Sequence, residues 1–535
     1  MPVEPEPKKD STAADEESKS RSSTRVVAVI EIGTTSVRMQ VAEIAGRGRM
    51  HVLDSLQQGI AIGRDTFTRG VIEPETTEEC VAALTSFRHV LEEYQLRTEG
   101  QIRAIATSAV REAGNREMFL DRMYIATGIP VAAIDAAEVT RLTCLAVMPL
   151  LHSRPALQKS DAVVAEVGGG STEALLFRGG QAGTSHTYRL GSLRLRQALD
   201  AYRAPPSRLT SIMNRHVDRD VEQMRRDGVL PRGAALLALG GEARLVTTIC
   251  IPDWDRRDIA RVKVSDLARV TDEVIRASAD DIVRRYHVSY PEAETFGPAL
   301  LIYLRMAQAM KRNEILVGNA TLRDGVLIDL ALRGSWTKEM RKQVIYSALE
   351  LGQRYGFDEK RAKRVARMAD ELFALLQSEH RLSPRCELIL HVAALLKDIG
   401  LYVSNRGHHK HSMYLIRNSD LFGLGDRDLL LASLVARYHR KALPRPTHEG
   451  YMALGRKGRT EVAKMAAMLR VASALERFRA DRGCRLQCFL EPGRLVVQVT
   501  AAGDLTMERY NLAVKSEMFE QFFGCKVIVR MAKRG

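Results

Sequence analysis

Two stretches of this chain carry residue types that suit phosphate chemistry. Glu31-Ile32-Gly33-Thr34-Thr35-Ser36 follows the apolar run Val26–Ile30, and Glu166-Val167-Gly168-Gly169-Gly170-Ser171-Thr172-Glu173 follows Ala162–Ala165. A glycine turn after a strand lets backbone N–H groups approach phosphate oxygens, because glycine permits both the dihedrals and the close contact. An acid just ahead of each turn, Glu31 or Glu166, can hold Mg²⁺ directly or through water. One such turn alone is a common hairpin. Two in the same context, 135 residues apart, point to a pair of related halves that face a phosphate group together.

The elements that must position these turns follow from periodicity. β-Branched runs at Val26–Ile30 and Val37–Ile44 read as strands, as does Ile102–Thr107, while Thr76–Tyr94 and Arg116–Ala126 carry helical spacing. Alternation of this kind predicts a mixed sheet covered by helices. After about residue 335 the pattern becomes amphipathic helix throughout, with segments at 336–355, 359–377, 387–396, 426–438 and 461–479. Alternating β-branched residues at 485–499 and 525–530 then predict a small α+β end, and Pro444, Pro446 and Gly450 mark a linker before it.

Composition narrows the class. The chain has 535 residues, 45% hydrophobic and 27% charged, which is ordinary for folded multidomain proteins and excludes global disorder. No apolar run approaches the roughly 20 residues of a membrane helix, and the charged first 24 residues lack the apolar core of a secretory signal. Seven scattered cysteines argue against a disulfide scaffold, so the expected compartment is reducing cytoplasm. Lys plus Arg number 80 against 65 Asp plus Glu, a formal +15. Residues 353–482 hold 25 basic and 14 acidic side chains, so about +11 of the excess is local. Such a region attracts a polyanion, with a solvated arginine-rich helical face as the competing reading. Aromatics make up only 5%, which argues against base stacking and against a specific nucleic-acid partner.

The motifs together resemble the exopolyphosphatase / guanosine pentaphosphate phosphohydrolase family of the sugar kinase–actin–heat-shock ATPase superfamily. Besides the two turns, Ala106-Thr107-Ser108-Ala109-Val110-Arg111-Glu112-Ala113-Gly114-Asn115 matches a family segment. So do Leu190-Gly191-Ser192-Leu193-Arg194-Leu195, Leu239-Gly240-Gly241 with Arg244, and Leu322-Arg323-Asp324-Gly325. Further on, His408-His409-Lys410-His411-Ser412-Met413 and Arg437-Tyr438-His439-Arg440-Lys441 resemble the helical HD-type domain of the long members. The resemblance implies an α/β fold of two ribonuclease H-like halves forming a cleft, then a helical HD-like domain and a small α+β domain. The expected boundaries are a tail at 1–24, halves at 25–143 and 144–334, the helical domain at 335–446 and the last domain at 447–535.

By the same resemblance the activity is release of terminal phosphate from inorganic polyphosphate or pppGpp with Mg²⁺. Arg111 would clamp phosphate and Glu31, Glu166 and Glu173 would place the ion. Gly33, Thr34, Thr35, Ser36, Asn115, Gly168, Gly169, Gly170, Ser171, Thr172, Gly240 and Gly241 would line the phosphate site, and a homodimer is plausible. Three departures bear on the chemistry. The family aspartates ahead of both turns are Glu31 and Glu166, whose carboxylates reach about 1.5 Å further. The family's water-activating glutamate is Val139, which cannot take a proton, leaving Glu138 beside it as the catalytic candidate. The HD His-Asp pair is Lys397-Asp398, whose ammonium is expected to repel a metal; His408, His409 and His411 stay candidates for a site, with polyanion contact beside Arg406, Lys410 and Arg417 favoured over metal. Two functions follow: a Mg²⁺-dependent hydrolase, or a polyphosphate or guanosine tetraphosphate binder that has lost its base. An ATP-using superfamily member is a third.

Overall fold

The computed structural model describes residues 24–45, 49–97, 100–201, 206–332, 337–440, 442–482, 485–500 and 506–531. The tail at 1–23, Trp336, Lys441 and Cys484 lie outside the described residues. The chain forms two compact units, one from within residues 1–135, 141–174 and 187–335, the other from within 136–140, 175–186 and 336–535.

Two of the sheets share one plan. In the first, strands β1 (Arg25–Ile32), β2 (Ser36–Ala45), β3 (Arg49–Gly59), β4 (Ile102–Ala106) and β5 (Val131–Ala133) lie in the order β3-β2-β1-β4-β5. β1, β2 and β3 form antiparallel hairpins, whereas β4 runs parallel to β1 and β5 parallel to β4. The second sheet contains β6 (Ala162–Val167), β7 (Thr172–Arg178), β8 (Gln181–Tyr188), β9 (Ala235–Leu239), β10 (Ala260–Lys263) and β11 (Glu314–Val317). Its order, β10-β11-β9-β6-β7-β8, repeats the first with one added edge strand. β9 is parallel to β6 and β11 parallel to β9, as the expected duplication requires.

Burial explains why these runs are strands. Ala28, Ile30 and Ile32 point into the first core with Val37, Met39 and Val41 of β2, against Leu84, Phe87 and Leu91 of the helix Pro74–Glu93. Alternate residues of β1 and β2 on this face are fully enclosed, the period-two pattern of a covered sheet. Asp329, buried on the helix Leu322–Ala331, is held by Arg141 at 2.8 Å and by Arg103 of β4. Residues 143 and 144, the expected junction of the halves, fall inside one helix, Ala136–His152.

In the second unit the helices Glu359–Leu375, Pro384–Leu396, Asp426–Arg437 and Arg456–Arg482 pack on one another. The last of these lies beyond the expected boundary at 446/447, yet it shares the core of the helical bundle through buried Val462, Ala466, Leu469 and Leu475. A three-stranded sheet follows, β12 (Arg485–Glu491), β13 (Arg494–Thr500) and β14 (Lys526–Met531), with the helix Thr506–Phe523 between its last two strands. The crossover from β13 to parallel β14 needs that helix, which residue periodicity had not marked. The six described cysteines are free. Among the described residues no helix is long and apolar enough to cross a membrane.

Candidate functional site

The two glycine turns close in the same way. Gly33 N–H donates to Ser36 O at 2.9 Å, and Gly168 N–H to Ser171 O at 2.8 Å, each ending one strand and starting the next. The carbonyls of the second turn are taken from outside. Ser192 N–H donates to Gly168 O, Leu193 and Arg194 N–H to Gly169 O, and Arg194 Nε to Gly170 O at 2.8 Å. Carbonyl oxygens that would repel an anion are thereby engaged.

The turns of the two halves touch. A Cβ on Gly169 would lie 2.6 Å from Thr34 Cγ2, and one on Gly170 would lie 2.5 Å from the Phe67 ring and 2.6 Å from Ser108 Oγ. Glycine is needed here for close approach. Thr34 Oγ1 lies 3.3 Å from Ser108 Oγ, and Arg194 stacks 4.0 Å over the Phe67 ring while pairing with Glu112 at 2.9 Å. Tyr303, fully buried, accepts from Val167 N–H at 2.8 Å and donates to Leu239 O, so one hydroxyl ties the end of β6 to the end of β9. Gly240 follows β9 at φ 100°, a region open to glycine, and its missing Cβ would point to within 3.8 Å of Glu166 Cγ.

Glu31 and Glu173 both act electrostatically on Glu166. Burial, then repulsion by Glu173 and Glu31, pushes the Glu166 carboxyl up to about 7 against the pull of Arg244 and Arg323. Burial also raises Glu173, opposed by Ser171 Oγ, which donates at 2.6 Å, and by Arg111. Arg323 donates to Glu31 Oε2. The three carboxylates do not form one cage: among the described residues the ligand atoms of just one trio lie within 4.8 Å of one another, and it lies elsewhere. This donor set fits a cation that shares phosphate and water ligands, which is how Mg²⁺ commonly binds.

Two buried guanidinium nitrogens beside this group, Arg244 Nη1 and Arg323 Nε, lack a hydrogen-bond partner among the described residues. Burial lowers Arg244 from its ordinary value despite Glu166. Sequence reasoning had placed both arginines in motifs without giving either a role. A signal was there for Arg323: it occupies the first turn of the helix Leu322–Ala331, where the helix dipole disfavours a cation.

The remaining expected residues divide. Arg111 faces Glu173 electrostatically, with Nη1 donating to Ile134 O at 3.1 Å. Asn115 is occupied otherwise than expected: its amide accepts from Ile72 N–H at 2.9 Å and donates to Ile72 O at 2.8 Å, so it buttresses a loop. Thr172 is buried and donates to Leu190 O, and Ser36 is buried in the first turn. Thr35 O accepts from Ile60 N–H, which fixes the turn's exit. Gly241 opens the helix Gly241–Cys250. Glu138 lies in the first turn of the helix Ala136–His152, and Val139, at the family base position, is buried. The helix is regular there, so Glu138 projects about 100° away from Val139 and does not replace it in position.

Duplicated α/β halves, paired glycine turns and carboxylates beside arginines that each keep one unpartnered nitrogen suit phosphate handling. The chain belongs to the Ppx/GppA phosphatase family, whose model matches residues 40–334, and that family's domain III matches residues 345–513. Among solved structures, an exopolyphosphatase from Cytophaga hutchinsonii is 19% identical, with a TM-score of 0.51 over 58% of this chain and 98% of that one. An exopolyphosphatase-like protein is 22% identical, with a TM-score of 0.50 and the same coverage of both chains. At these identities the likeness is one of fold.

Proposed function

We propose that the chain hydrolyses the terminal phosphoanhydride bond of inorganic polyphosphate or pppGpp in a Mg²⁺-dependent reaction. The observation that carries this reading is the pair of buried, unpartnered nitrogens, Arg244 Nη1 and Arg323 Nε, set beside three carboxylates and two glycine turns. Buried N–H groups without acceptors cost free energy unless a ligand supplies oxygens, and a phosphoryl group supplies several. Arg111, beside Glu173, would hold a further oxygen. Mg²⁺, when bound by Glu31, Glu166 or Glu173 and the phosphate, would neutralise charge on the leaving group. Water then forms the new P–O bond as the bridging P–O bond breaks, and its proton needs an acceptor. Val139 offers none, so a carboxylate of the trio that does not hold the ion would take it.

A second reading rests on the burial of Val139: a polyphosphate or guanosine tetraphosphate binder with the family base missing. Phosphate release from long-chain polyphosphate with and without Mg²⁺ separates the two. The hydrolase reading expects release that falls at least 100-fold in Arg111→Ala and in Glu166→Gln. No release by the native chain, with activity gained by Val139→Glu, would overturn it in favour of the binder.

A further inference from the structure

Arg194 stands in a motif to which the cleft chemistry gives no role, Leu190-Gly191-Ser192-Leu193-Arg194-Leu195. It is the third residue of the helix Ser192–Ala201, in the second half of the duplicated fold. Its backbone N–H donates to Gly169 O at 3.0 Å and its Nε to Gly170 O at 2.8 Å, so one residue holds two consecutive carbonyls of the second glycine turn. No acceptor among the described residues takes the N–H of Gly169 or Gly170. With the carbonyls engaged, those two N–H groups are what the turn can offer an anion.

The rest of the side chain reaches into the first half. Nη2 donates to both carboxylate oxygens of Glu112 at 2.9 Å, and the guanidinium carbon lies 4.0 Å from the centroid of the Phe67 ring. Glu112 ends the helix Ser108–Glu112, which carries Arg111. The other end of that helix meets the same turn, since a Cβ on Gly170 would lie 2.6 Å from Ser108 Oγ. The helix bearing Arg111 is therefore fastened to the second turn at both ends, by contact at Ser108 and through Arg194 at Glu112. Arg194 and Glu112 are 19% and 26% exposed at their side chains, so salt screens the pair only in part. Arg189, a second partner of Glu112 at 3.0 Å, is 77% exposed and adds little.

Position and charge make different demands here. Nε and Nη2 of Arg194 are both spent on protein atoms, so the side chain acts on a phosphate through the turn and through Arg111. A lysine would keep the charge, but one ammonium cannot reach Gly170 O and Glu112 together while covering the Phe67 ring. Glu112→Gln keeps the shape and removes a negative charge from beside the site. If charge alone mattered, that change would tighten anion binding; if position matters, it loosens the anchor and weakens binding.

We propose that Arg194, anchored by Glu112, is a positioning residue that sets the second glycine turn and Arg111 against each other for phosphate binding. This rests on the reading of the cleft as a phosphate site, but not on hydrolysis. The test is calorimetric titration of the full chain, with Mg²⁺, by the methylene-bridged analogue of tripolyphosphate, which cannot be hydrolysed. The binding counted is the part that Arg111→Ala removes, and urea melts show that each variant is folded. Affinity should fall at least tenfold in Arg194→Lys and at least fivefold in Glu112→Gln. The double variant should bind about as Arg194→Lys does, because the two residues act as one unit. Native affinity in folded Arg194→Lys, even with a lowered urea midpoint, would mark a merely structural pair and overturn the proposal. Tighter binding in Glu112→Gln, or losses that multiply in the double variant, would overturn it as well. Should Arg194→Lys fail to fold, the isosteric Glu112→Gln alone decides. The expected order of affinities without phosphate release from polyphosphate by the native chain would overturn hydrolysis and support this proposal, whereas no Arg111-dependent binding at all would overturn both.

Discussion

Glu166 should make stability depend on pH in a direction opposite to that of an ordinary salt-bridged carboxylate. Its carboxyl is raised from 4.5 to about 7 by burial and by Glu173 and Glu31. Between those values the folded chain holds a proton that the unfolded chain has released, so stability falls as pH rises. The contribution is fully present below about pH 4.5 and gone above about pH 7. At about 1.4 kcal/mol per pKa unit the shift corresponds to at most about 3 kcal/mol across that window. Glu166→Gln keeps the shape and removes the titration, so its stability relative to the native chain should improve by up to this amount between pH 4.5 and pH 8. Urea midpoints of both proteins at half-unit pH steps measure the difference. Mg²⁺ should oppose it, since a cation beside the group favours the ionised form, so added Mg²⁺ should stabilise the native chain more at pH 8 than at pH 5. A difference curve that is flat, or that slopes the other way, would refute the placement of Glu166 among buried like charges.

Two further outcomes follow from packing. Gly169→Ala puts a methyl 2.6 Å from Thr34 Cγ2, so the turns must part by about 1 Å to reach normal contact, at a cost of about 1–3 kcal/mol. Phosphate release should fall with it, and Thr34→Ser in the same chain, which deletes the Cγ2, should recover part of both losses. Asn115→Ala breaks two hydrogen bonds to Ile72 and should lower stability by about 2 kcal/mol in urea melts. Its polyphosphate affinity should change far less than that of Arg111→Ala, an ordering that a direct phosphate contact by Asn115 would reverse.

The legible parts of the fold were those fixed by local pattern. The strand–acid–glycine motifs located β1 and β6 and announced the duplication, because a period-two apolar run followed by glycine has few other meanings. The helix Thr506–Phe523 escaped because its apolar residues do not keep to one face. Its existence follows from the parallel pairing of β13 with β14, a relation that no local window contains. In the site, the acids and glycines were visible by type, whereas the work of Arg244 and Arg323 was not. An arginine announces itself as a ligand-binding group only when burial strips it of other partners, and burial is a property of the assembled halves.

Asn115 and Lys397 show the same limit from two sides. Both sit in motifs where residue type suggested a role: phosphate contact for the amide, exclusion of metal for the ammonium. The structure gives each to a particular atom, Ile72 N and O in one case and Asp398 Oδ2 in the other. A side chain with two donors or acceptors, or a carboxylate with two oxygens, can serve structure on one side and chemistry on the other. Sequence reports that both capacities exist, and geometry decides how they are divided. At Asn115 one acceptance and one donation tie the amide to the loop at Ile72. At Asp398 the Lys397 ammonium takes Oδ2, so its role is set by one oxygen and not by its place in the motif.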